Sequence, residues 1–253
     1  MKGSLETQGS LKTLRYTEDG DVATIQLLRE RTTMRMVREL TTVCDHLEDV
    51  SGCRVVVIRG AEGRFSRGID FEEFRPDTPM DIHGFNKWEK CCVRIERLPK
   101  ITIAAMEGAV IGGGMQLALV CDARIATSDL CMQLNEVRLG FLPGMATFRL
   151  AKYIGLGRAK RLIMQCPELS AEEALDLGLI DSIAADLDAA IAETITSFEP
   201  IHPVTLELAR RLLNESFAVD FENAIGNFLA AQHRAITQTA FLKTLKDHQN
   251  TSE

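Results

Sequence analysis

What the chain lacks narrows the possibilities first. No uninterrupted run of about eighteen apolar residues occurs, the length a membrane-crossing helix needs, because charged or polar residues break every hydrophobic stretch. The opening segment MKGSLETQGS has no apolar h-region, so no secretory signal is expected. No two cysteines stand in CxxC spacing. The seven present (Cys44, Cys53, Cys91, Cys92, Cys121, Cys131 and Cys166) are odd in number and sit among apolar neighbours. Cysteine there acts as a small hydrophobe, which argues against a disulfide framework or zinc site and for a reducing cytoplasm. The five histidines (His46, His83, His202, His233 and His248) show no ligand-like pairing, so no metal is expected. Basic surplus is missing too: a net charge of −7 excludes general nucleic-acid binding. Low-complexity segments, internal repeats and Pro/Gly/Ser-rich linkers are absent.

What is present is sufficient for an ordinary α/β enzyme. At 253 residues and 45% hydrophobic content, the chain can bury a large core as one domain. Local positive charge also exists, since Arg29 to Arg67 spans eight arginines and no lysine. Such a stretch suits a phosphorylated ligand or, equally, a salt-bridged surface.

The pattern along the chain predicts a strand over Asp21–Leu28, an amphipathic helix over Met34–Val50 and a buried parallel strand over Arg54–Gly60. A helical region around Trp88, a strand over Ile101–Met106, a buried helix over Met115–Cys121 and a short strand over Arg124–Thr127 follow. This order implies right-handed crossovers and a mainly parallel core. The second half turns helical. Ser170-Ala171-Glu172-Glu173 reads as a capping box, and long helical patterns cover Pro203–Phe217 and Phe221 to about Asp247. The apolar surface of that helical tail could pack on its own core or on another subunit.

Three segments carry the chemistry. Phe65-Ser66-Arg67-Gly68-Ile69-Asp70-Phe71 places a glycine in a loop after a strand, where backbone can approach a ligand closely. Gly112-Gly113-Gly114 joins the strand near Ile103–Met106 to the helix that carries Met115 and Gln116, and frees N–H donors at a helix start for negative charge. Close packing of helix on sheet would explain one of these glycines, less easily three. Leu134-Asn135-Glu136 then sets one carboxylate among apolar residues, ahead of the turn Gly140-Phe141-Leu142-Pro143-Gly144. An isolated glutamate is usually exposed; the company of the other two segments makes Glu136 a site candidate.

Read in order, the motifs FSRGID, IAAMEGAVIGGG, LVCD, NEVRLGFLPG and SAEEALDLGLI resemble those of the crotonase superfamily, the enoyl-CoA hydratase/isomerase family. The likeness covers about Asp21 through Asp181, with a helical tail of family length. It implies a crotonase-like ββα spiral core over residues 1–190 and a helical C-terminal trimerisation lobe over 191–253 of the same domain. It implies a homotrimer or dimer of trimers, no cofactor beyond the coenzyme A of the substrate, and a cytoplasmic acyl-thioester enzyme. By position, the N–H groups of Ile69 and Gly113 form the oxyanion hole. The backbone of the Ser66–Ile69 loop, with Arg67 and Gly68 in it, holds the adenine and pantetheine, Gly112, Gln116 and Met145 are further substrate-binding positions, and Glu136 lies beside the acyl Cα–Cβ region.

Departures from the family pattern refine the expected reaction. Gln116 stands where hydratases carry their first glutamate, and an amide can neither take nor give a proton at ordinary pH. Hydration is therefore disfavoured, and a single-acid shift of a 3-enoyl to a 2-enoyl thioester is the expected activity. The LNE triplet around Glu136 is similar to that of Δ3,Δ2-enoyl-CoA isomerases. Arg67 replaces a small residue and could meet a ligand phosphate or point to solvent. Met145 and Phe148 follow the Pro143-Gly144 turn, where they could reshape the acyl pocket; that PGM-x-T-F pattern is similar to polyketide-pathway decarboxylases acting on acyl carrier protein. Decarboxylation or hydratase-like lyase chemistry on a CoA or carrier-protein thioester is the alternative.

Overall fold

A computed structural model describes residues 11–74, 77 and 82–251. The chain forms two compact units that divide between Thr194 and Ile195. The first is built on a six-stranded sheet. Strands β1 (Leu14–Asp19) and β2 (Val22–Leu27) form an antiparallel hairpin around Gly20-Asp21. From β2 onward the sheet is parallel, adding β3 (Val55–Arg59) and β4 (Ile101–Met106). The expected mainly parallel α/β core is observed; β1 is an extra antiparallel edge that the pattern did not mark. Its sequence, LRYTED, alternates buried and solvated positions and carries three charges, which masks its strand character.

Between β2 and β3 runs helix α1 (Met34–Asp49). Thr33 caps it, accepting the Met36 N–H at 3.2 Å, and Met36, Val37, Leu40, Val43, Cys44 and Leu47 form its buried face. Helix α2 (Ile82–Arg97) buries Trp88, Cys91, Cys92 and Ile95 ahead of β4. Strand β5 (Ala109–Ile111) leaves the main sheet and leads into helix α3 (Gly113–Leu119). The main sheet resumes with β6 (Ala123–Thr127), while β7 (Cys131–Gln133) pairs with β5 in a separate two-stranded parallel sheet. Both β5 and β7 are three residues long, below the length at which periodicity is legible.

Helix α4 (Ala146–Gln165) is bent where Gly155 leaves helical geometry, and α5 (Ala171–Asp176) opens with the expected capping box between Ser170 and Glu173. Strand β8 (Ser182–Ala184) completes the sheet beside β6. Helix α6 (Leu187–Phe198) spans the division between units. The second unit consists of α7 (Pro203–Glu215), α8 (Phe221–Ile236) and α9 (Thr239–Thr251). The single long pattern expected from Phe221 is thus two helices, separated at Thr237 and Gln238. Among the described residues no helix is long and apolar enough to cross a membrane. The cysteines are all free thiols, and all but Cys131 are buried.

Candidate active site

The loop of Ser66 to Asp70 is held on two sides by isolated β-bridges. On one, Thr32 N–H donates to Gly68 O at 2.8 Å and Asp70 N–H donates to Thr32 O at 3.0 Å. On the other, Ser66 N–H donates to Ala109 O at 3.0 Å and Ile111 N–H donates to Ser66 O at 2.8 Å. Gly68 N–H is taken by Ser66 Oγ at 3.2 Å. Extended backbone alternates its donors from side to side, so the Ile69 N–H faces away from Thr32 and has no partner among the described residues. A Cβ on Gly68 would stand 2.9 Å from Ile111 O and 3.4 Å from Gly113 N, which sets the loop directly against the start of α3. There Gly112 N–H is spent on Gln133 O at 2.9 Å, and the next donor, Gly113 N–H, has no partner among the described residues. Two backbone donors without partners among the described residues thus lie on neighbouring segments.

The three successive glycines answer three different demands. At Gly112, φ is +57° and a Cβ would come within 2.6 Å of Glu136 Oε1. At Gly114 a Cβ would collide with Ser66, 2.7 Å from its Cβ and 2.8 Å from its carbonyl oxygen. Gly113 has ordinary room, with the Trp88 ring at 3.6 Å, and contributes its free N–H.

Glu136 precedes a short 3-10 turn at Val137–Leu139 and is only 4% exposed. Its Oε2 is buried and has no hydrogen-bond partner among the described residues. Burial pushes its carboxyl above the ordinary range, partly offset by its own backbone N–H and that of Asn135. Gln116, also 4% exposed, sits on the first turn of α3 with its Oε1 unpartnered. The indole N–H of Trp88 is a third buried polar group with no partner. Buried groups left so cost about 1–3 kcal/mol each in a closed protein, which marks places where a ligand or solvent completes the structure.

All three line one cavity of about 600 Å³, bordered also by Ile69, Gly112 and Gly113; ligand pockets typically measure about 300–1,000 Å³. Arg67 lies at its wall half-exposed, its Nε 3.3 Å from Glu30 Oε2, so neither reading of this arginine is fulfilled alone. Ser66 is buried behind the loop rather than facing the cavity. Met145 is 41% exposed and its side chain does not line the cavity. Its contribution is the backbone N–H, which donates to Glu89 Oε1 at 2.9 Å. Phe148 is likewise exposed, with Lys152 Nζ over its ring.

Glu89 and Trp88 were not foreseen from sequence. Arg149 binds Glu89 Oε2 at 3.3 Å and Glu96 Oε2 at 3.0 Å. Burial works against the Arg149 charge, but its hydrogen bond to Glu96 and the nearby carboxylates outweigh that and raise its pKa. The available signal was two glutamates seven residues apart on the Cys92 side of α2, with an arginine just past the Pro143-Gly144 turn. Among the described residues no cluster of His, Cys, Asp and Glu is placed to hold a metal ion.

Comparison with known proteins gives the family. The family model described as enoyl-CoA hydratase/isomerase matches residues 17–249. A Bacillus subtilis (strain 168) protein named "Probable enoyl-CoA hydratase" is 37% identical over 199 residues, covering 76% of each chain. Among solved structures, an enoyl-CoA hydratase from Bacillus anthracis superposes with a TM-score of 0.87 at 27% identity, covering 95% of this chain and 97% of that one. A Thermobifida fusca YX chain solved in complex with CoA gives 0.80 at 28% identity, covering 90% and 94%. With the crotonase-type sheet and helices in place, and the motif glycines set against Glu136, the chain belongs to the enoyl-CoA hydratase/isomerase family.

Proposed function

We propose that the protein moves the double bond of a 3-enoyl thioester to the 2-position. The observation that carries this reading is a single buried carboxylate, Glu136, packed on Gly112 next to the free Gly113 N–H, with an amide, Gln116, in place of a second acid. The thioester oxygen accepts from the Ile69 and Gly113 N–H groups. Glu136 takes a proton from Cα, and the electron pair spreads into a dienolate whose negative oxygen those two donors hold. The acid so formed returns its proton at Cγ, giving the conjugated 2-enoyl product and the starting carboxylate. A carboxyl whose pKa is raised by burial suits both halves of this exchange.

Coenzyme A is the favoured carrier. The family match and the CoA-bound relative support it, with the backbone of Ser66–Ile69 and the Arg67 side chain along its path. The same reading makes the protein a homotrimer or dimer of trimers, supported by exposed Phe221, Phe228 and Leu229 on α8; an active monomer in light scattering would count against it. The function is tested by supplying 3-enoyl-CoA, 2-enoyl-CoA and a glutaconyl thioester separately. Formation of 2-enoyl-CoA from the first, lost in Glu136→Gln, is expected; turnover of the carboxylated thioester alone would overturn the isomerase reading.

A further inference from the structure

A second carboxylate, on another element, stands close to Gln116. Gly144 lies at the cavity wall with φ at +47°. A Cβ there would overlap Glu89 Oε1 and come within 2.9 Å of Gln116 Nε2 and 3.1 Å of Gln116 Oε1. The Glu89 carboxylate and the Gln116 amide therefore both pack on the Gly144 α-carbon, side by side, where any side chain at position 144 would push them away. Both residues line the cavity that also holds Glu136.

Neither polar head is exhausted by its protein contacts. Gln116 Oε1 is buried and unpartnered. Glu89 Oε1 accepts one hydrogen bond, from Met145 N–H at 2.9 Å, and Oε2 accepts one from Arg149 Nη1 at 3.3 Å. A carboxylate offers about four acceptor sites, so about two remain. Met145 and Arg149 thus hold one carboxylate oxygen each.

We propose, building on the enolate chemistry assigned above, that Glu89 and Gln116 together hold a water molecule at Cβ and that Glu89 is the general base that adds it to the 2-enoyl thioester. Water oxygen bonds to Cβ as its proton passes to Glu89. The π electrons of the 2,3 double bond move to the thioester oxygen, held by Ile69 and Gly113 N–H. Glu136 in its acid form then delivers a proton to Cα, giving the 3-hydroxyacyl thioester. Glu89 releases its proton to solvent, and Glu136 regains one. The two acids of a hydratase are thus present, one of them drawn from α2 instead of α3.

The test compares hydration of 2-enoyl-CoA, followed by loss of the conjugated enoyl absorbance, with isomerisation of 3-enoyl-CoA in the same preparations. Glu89→Gln is expected to lower hydration about 100-fold and to lower the hydration-to-isomerisation ratio at least about tenfold, within the range for losing a general base. Glu89→Asp keeps a charge for Arg149 but withdraws the carboxylate, so its ratio falls as well; it serves if the glutamine variant does not fold. Parallel loss of both activities would reduce Glu89 to a brace for the Gly144 turn and overturn the proposal. Absence of hydration by the wild-type protein would overturn it too. Glu89-dependent hydration without any isomerisation would instead uphold Glu89 and sink the isomerase reading.

Discussion

Replacing Gly112 by alanine separates backbone strain from catalytic geometry in one change. The residue sits at φ +57° and ψ −117°, a region that side chains disfavour, so alanine is expected to cost about 1–3 kcal/mol of stability. Steric overlap adds a second effect. The new methyl would stand 2.6 Å from Glu136 Oε1 and 3.3 Å from its Cδ. An unstrained contact needs roughly 3.5 Å, so the carboxylate must retreat by about 0.9 Å. That movement is cheap in stability, because Oε1 is the far end of a flexible side chain. It is costly in rate, because a misplacement of about 1 Å at a reacting group can cost on the order of 100-fold. Gly113→Ala is the internal control: its methyl meets the Trp88 ring at ordinary contact distance, nearest at Cζ2, 3.6 Å. The N–H survives, and alanine at a helix position gains roughly 0.5–1 kcal/mol over glycine. The assay pairs thermal unfolding with exchange of the thioester α-proton in deuterated water, which reports Glu136 without depending on the later steps. The expected result is exchange reduced about 100-fold in Gly112→Ala and within a few-fold of wild type in Gly113→Ala. Exchange within about threefold of wild type in Gly112→Ala, or equal damage from both changes, would refute the placement of Glu136 over Gly112.

Glu136→Gln should abolish α-proton exchange yet stabilise the fold near neutral pH, on the order of 1 kcal/mol, by removing a buried charge. Because the folded-state pKa is raised, the native protein binds the extra proton, and wild-type stability falls as pH rises through that interval; the gain measured by urea unfolding should therefore shrink toward acid pH, and a gain that grows there would contradict the sign. Arg149→Met leaves the Glu89 and Glu96 carboxylates without their shared cation at a site where the arginine side chain is 5% exposed. Unfolding free energy should drop by about 3 kcal/mol or more, and a loss below about 1 kcal/mol in chemical denaturation would show that the cluster does not hold α2 to α4.

The parts of the fold that sequence revealed are those where one period dominates. Helix α1 and strands β3 and β4 bury a clear face or both faces, and their bounds match expectation within a residue or two. Strands β5 and β7 are too short for a period, and α4 mixes apolar and charged residues on every side while bending at Gly155. At the site, the glycines were legible as places of close backbone approach, and the glycine triplet had more causes than one. Met145 was expected in the acyl wall for its side chain, but at the N-terminus of α4 that side chain points out and only its N–H turns inward. Glu89 was illegible: an acidic residue on an amphipathic helix resembles any solvated one until the partner across the fold, Arg149, is known.

The paired bridges around Ser66–Asp70 have an evolutionary consequence. The Ile69 donor belongs to the register of the loop and not to the residue that occupies it. Any L-amino acid except proline at position 69 supplies the same N–H, so a substitution there would change the cavity wall and leave in place the donor proposed above to hold the thioester oxygen. On the proposed reading, the cavity wall at position 69 is therefore open to substitution without loss of the donor.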